Sequence, residues 1–103
     1  MIKISLSENE NHFKLECTGH SLENNEPCAR VSTALDMMKL FFTKHLEKTK
    51  RVHGLTLLVF NKKGLTKEKK KLLEDCILYF YELKKLYGSS IQIYENNEVK
   101  DHG

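Results

Sequence analysis

Apolar and polar residues alternate from the second position onward: Ile2, Ile4 and Leu6, then Phe13, Leu15 and Cys17 after a polar turn over residues 7–12. A period of two puts alternate side chains on one face of a strand, so two strands are expected, paired as a hairpin, the second over residues 12–18. Gly19 ends it, and residues 20–27 read as a polar loop closed by Pro27. From Cys28 to about Thr49 the period changes. Val31, Ala34, Leu35, Met38, Phe41, Phe42, His45 and Leu46 recur every three or four residues, the stripe of a helix with one apolar face. Pro27 suits the first turn, where a missing N–H costs nothing. Lys44, Lys48, Lys50 and Arg51 suit the far end, where cations meet the negative pole of the dipole.

Residues 54–60 include Leu55, Leu57, Leu58 and Val59 and are apolar on both sides, as expected of an interior strand. Residues 61–64 form a turn. Thr66 is a fitting N-cap for a second helix running to Tyr87, with Leu72, Leu73, Cys76, Ile77, Phe80, Leu83 and Tyr87 on its apolar face and Gly88 as its stop. Ile91, Ile93 and Tyr94 make a last strand. Residues 96–103 read as a disordered tail. The order is ββαβαβ, which defines an α+β fold in two layers. A mixed four-stranded sheet carries both long helices on one face, in a single domain over residues 1–95. The other sheet face is left to water or to a subunit contact.

Composition narrows the class. Of 103 residues, 40% are hydrophobic, enough for one core, and 30% are charged, as on a water-facing surface. No apolar run approaches the roughly 18 residues of a membrane span, and the alternating N-terminal segment is a strand rather than a signal peptide. A cytoplasmic protein without a membrane partner is expected. Three cysteines, an odd number without paired spacing, fit a reducing compartment better than a disulfide framework. The net charge of +3 is unevenly spread. Residues 1–27 hold Glu8, Glu10, Glu16, Glu23 and Glu26 against two lysines, whereas residues 28–71 hold twelve Lys and Arg against three acids. An acidic loop beside a basic middle suits a basic substrate at the loop and leaves room for RNA elsewhere.

The chemistry concentrates at that loop. His20 follows a strand and a glycine; Cys28 opens a helix. A thiol at a helix N-terminus sits where backbone N–H groups and the macrodipole favour the thiolate, and a neighbouring imidazole can take its proton. That is the minimum equipment for nucleophilic acyl transfer. The plainer reading makes Cys28 a small apolar residue of the first turn and His20 a surface histidine. Cys17 and Cys76 share faces with core residues. His45 lies on the apolar stripe as a helix-packing residue, and His12, His53 and His102 read as turn, strand-edge and tail residues. Cys17, His20 and Cys28 have short zinc-like spacing. The strand phase turns Cys17 inward, however, and no second close pair completes a tetrahedral set, so no metal is expected; a redox role for Cys17 and Cys28 is a further, weaker reading. Lys62, Lys63, Lys67, Lys69, Lys70 and Lys71 form either a solvated face or an RNA contact. No aromatic platform accompanies them.

Gly19-His20, a variable loop, then Cys28-Ala29-x-Val31-Ser32-x-Ala34-Leu35 resemble the paired motif of the ribosomal-processing cysteine protease family, small bacterial proteins. The likeness covers residues 1–95. It implies a cofactor-free cysteine endopeptidase with His20 and Cys28 as its dyad, a homodimer, and a basic substrate. That substrate is a large-subunit ribosomal protein whose N-terminal extension is removed during ribosome assembly. Ala29 is then a candidate oxyanion donor alongside Cys28, Ser32 a brace of the helix start, and Glu26 the acidic residue near the nucleophile. The loop is shorter than in many members and lacks glycine. The rival from another class is a non-enzymatic ribosome- or RNA-associated protein binding through the basic residues at 62–71.

Overall fold

In a computed structural model, the strands form as their alternation requires. The structure describes residues 1–20 and 25–96, and the backbone of 98–100. Strand β1 (Ile2–Glu8) pairs antiparallel with β2 (His12–Thr18), Ile4 opposite Cys17 and Leu6 opposite Leu15. Helix α1 (Glu26–Phe41) follows, then β3 (Leu46–Val52) and β4 (Leu55–Asn61) as a tight hairpin. Helix α2 (Lys67–Tyr87), β5 (Ile91–Glu95) and β6 (Glu98–Lys100) complete the order. The mixed sheet runs β3-β4-β2-β1-β5-β6, with β1 and β5 parallel and the other neighbours antiparallel. Five of these strands are described with their side chains; β6 crosses a stretch read from the sequence as tail, and residues 101–103 lie outside the described residues.

The α+β class and the two long helices agree with expectation; the strand count does not. The first helix stops at Phe41 instead of running to Thr49, and residues 46–52 form an unforeseen edge strand. Two local causes are visible. The Thr43 hydroxyl donates to the carbonyls of Lys39 (2.8 Å) and Leu40 (2.9 Å), taking acceptors at the helix end. Lys69 reaches across from α2 and donates to the Phe41 carbonyl at 2.6 Å. His45 therefore lies in a short 3-10 turn, not on a helical stripe, and its Nδ1 donates to the Asn61 carbonyl at 3.1 Å. Thr66 caps α2 as expected, accepting from the Lys69 N–H at 3.1 Å.

One apolar layer joins sheet and helices. Ile2, Ile4, Leu6, Phe13, Leu15, Leu58, Phe60, Ile91 and Ile93 are buried against Val31, Leu35, Met38 and Phe42, and against Leu73, Phe80 and Leu83. Both helices thus cover the same sheet face. On the other face Lys3, Ser5, Lys14 and Glu16 sit beside Leu57 and Val59, which remain half-buried. The outward sides of the helices expose Met37, Leu40, Leu78, Tyr79 and Leu86. No helix among the described residues is long and apolar enough to cross a membrane.

Candidate functional site

The end of β2, the start of α1 and the β3–β4 hairpin meet around a cleft of about 240 Å³. Gly19, His20, Cys17, Cys28, Ser32 and Arg51 are among its lining residues. The sequence-predicted imidazole and thiol therefore open onto one space, although seven residues separate them in the chain and Ser21, Leu22, Glu23 and Asn24 of that loop lie outside the described residues.

Backbone contacts hold His20 where it is. Gly19 has φ +88°, and a Cβ there would lie 2.1 Å from the Met1 carbonyl oxygen, so only glycine fits. The Gly19 N–H donates to the Gly54 carbonyl at 3.2 Å, which ties the end of β2 to the β3–β4 turn. The Met1 amino group donates to the His20 carbonyl at 2.6 Å. The His20 ring lies over that turn. Its Nε2 is 3.8 Å from where a Gly54 Cβ would stand, and its centroid is 5.6 Å from that of His53, the planes 42° apart.

Cys28 is half-buried in the first turn of α1, whose N-cap position is Asn25 and which contains Pro27. The Ala29 N–H, the candidate oxyanion donor, is occupied in this conformation: it donates to the Asn25 carbonyl at 3.0 Å as a helical bond. Ser32 is exposed at the cleft wall, one turn beyond Cys28. Glu26 points elsewhere. It pairs with Arg30 at 3.2 Å and accepts from the Tyr87 hydroxyl at 2.6 Å, bracing the start of α1 against the end of α2. That hydrogen bond, helped by Arg30, holds the Glu26 carboxyl below the ordinary carboxylate value.

Burial disfavours the thiolate at Cys17 and Cys76. Burial pushes the Cys17 thiol up to about 11, the nearby Cys28 adds to the rise, and Arg51 opposes it. Burial, and then Asp75, raise Cys76. Cys76 packs in the groove between the helices with Ala34, Met37 and Tyr79. Cys17 touches the core, as its strand phase requires, yet also faces the cleft. Among the described residues no three His, Cys, Asp or Glu side chains converge as a metal-ligand set.

Two neighbours of the site were hidden from the sequence reading. Arg51 lies in what reads as a helix end, but β3 delivers it to the cleft, where it also pairs with Asp36 of α1 at 3.1 Å. His53, read as a strand-edge residue, stands beside His20. The His53-Gly54 dipeptide was the available signal: a glycine directly before an apolar strand marks a hairpin turn, here with φ +79°.

The two-layer fold, with Cys28 and His20 lining one cleft at the mouth of α1, is shared by a group of solved structures. The S. aureus ribosomal processing protease Prp with a covalently linked product peptide superposes with TM-score 0.74 at 13% identity, over 93% of this chain and 100% of that one. Prp from the same organism with a substrate peptide gives TM-score 0.64 at 12% identity, over 93% and 100%. SMU.848 from Streptococcus mutans gives TM-score 0.61 at 11% identity, over 92% and 96%. No protein-family model and no curated protein matches the sequence.

Proposed function

We propose that this chain is a ribosomal-processing cysteine protease, which removes the N-terminal extension of a large-subunit ribosomal protein. The observation that carries the proposal is the shared cleft: His20 and Cys28 line it together, on a fold that matches Prp along nearly its whole length. The His20 imidazole accepts the Cys28 proton, and the thiolate attacks the scissile carbonyl. The resulting oxyanion is met by the Cys28 and Ala29 N–H groups at the start of α1, the Ala29 N–H by leaving the Asn25 carbonyl. The intermediate collapses to a thioester as His20 protonates the departing amine. Water, deprotonated by His20, attacks the thioester, releasing the acid and restoring the thiol.

The same proposal makes the protein a cytoplasmic homodimer without a cofactor; light scattering should give twice the chain mass of 12.0 kDa. The RNA-binding alternative loses support from the lysines themselves. Lys62 is paired with Glu8, Lys71 with Asp75, and Lys69 caps α1.

The test is a peptide spanning the extension junction of such a ribosomal protein, followed by intact mass. The parent cuts it, whereas Cys28→Ala and His20→Ala fold normally and lose at least about a thousandfold in rate. Full cleavage by either variant would refute the dyad.

A further inference from the structure

We propose that His53 is a positioning residue for His20, fixing the imidazole by ring packing so that it faces the thiol. This rests on the protease reading above. Three observations place the two rings in one arrangement. The centroids lie 5.6 Å apart with the planes tilted by 42°, within the range of favourable aromatic pairs. The His20 ring lies over Gly54, the residue after His53, with Nε2 3.8 Å from the missing Cβ position. The Gly19 N–H bond to the Gly54 carbonyl joins the two backbones just where the rings meet. The turn therefore presents a floor, Gly54, and a side wall, His53, to an imidazole that is otherwise exposed on a loop.

An exposed loop histidine samples several rotamers, and each one that points away from the sulfur is wasted. A wall on one side removes some of them. Misplacement by about 1 Å can cost about a hundredfold in rate. His53 itself is absent from the cleft lining, so it acts through His20 and not on the substrate.

Two measurements on the full chain test this. With the junction peptide, His53→Ala should lower kcat about tenfold with KM within about twofold, whereas His53→Phe, which keeps a flat ring, should stay within about threefold of the parent. A parental kcat in His53→Ala overturns the proposal, and so does equal damage by His53→Phe. The second measurement needs no substrate. In a carbon-correlated NMR spectrum, the His20 Hε1 resonance should move in His53→Ala and return toward its parental position in His53→Phe. An unmoved resonance overturns the packing whatever the kinetics show. Failure of the protease reading looks different: the parent leaves the peptide intact, or His20→Ala cuts it fully, while the NMR arm still decides whether the rings pack.

Discussion

The Tyr87 hydroxyl donates to Glu26 Oε1 at 2.6 Å and fastens the last turn of α2 to the first turn of α1, two residues before Cys28. Arg30 reaches the same oxygen at 3.2 Å. The two ends of the bond titrate in opposite senses. Glu26 is held down by the Tyr87 hydrogen bond, so its contribution is present above the ordinary carboxylate range and is lost as pH falls through its folded value, on the acid side of 4.5. Tyr87 is held up, by burial and then by Glu26, so its contribution is present below 10 and is lost as pH rises through its folded value. Tyr87→Phe should melt below the parent at pH 7, with the gap narrowing at about pH 3. A gap of constant size in scanning calorimetry at both pH values would show that this bond does not carry the difference.

The three cysteines should separate in a timed alkylation with iodoacetamide at pH 8. A thiol pushed up to about 11 is ionised to about one part in a thousand at that pH, which puts Cys17 last or nearly so. Cys76 is also raised, and the helix groove screens it. Cys28, at the cleft wall, should be modified first. Peptide mass spectrometry reads the order; early labelling of Cys17 would count against the burial described for it.

Gly19→Ala should be costly out of proportion to its size. The new methyl would meet the Met1 carbonyl at 2.1 Å in a left-handed backbone that other residues avoid. A loss of about 2–4 kcal/mol in urea denaturation is expected, together with reduced cleavage, because the backbone must shift at the residue before His20. A stable, fully active Gly19→Ala protein would mean that the β2 end has slack that the structure does not show.

Phe80 is wholly buried beneath the sheet. Phe80→Ala should cost about 3–5 kcal/mol, as large cavities in packed cores do. The midpoint in urea should fall without a change in slope.

Most of the framework can be read from periodicity because most elements have one wet face and one dry face. The alternation of Ile2, Ile4 and Leu6, the stripe on α2 and the Thr66 cap all carried through. β3 did not, for a physical reason. It is an edge strand exposed along nearly its whole length, and Lys48, Lys50 and Arg51 protect that edge from pairing with other chains. Such a strand has no dry face to announce it, and Phe42, His45 and Leu46 happen to continue the helical spacing. The site was legible as far as its local parts, a thiol at a helix mouth and a histidine after a glycine. Arg51 and His53 arrive by β3 pairing with β4, a non-local event; Gly54 marks the turn beside His53, but no local pattern places either side chain at the cleft.

The parallel pairing of β1 with β5 has a consequence for biosynthesis. Ile2 lies against Ile91, so β1 must wait for a strand that is translated well after it. Until then β1 offers a bare hydrogen-bonding edge and an apolar face to whatever is nearby. Closing so long a span is slow compared with forming either hairpin. The cleft, whose lining includes Ile2, is thus completed only after β5 has docked, and until then the open edge is exposed to a wrong neighbour.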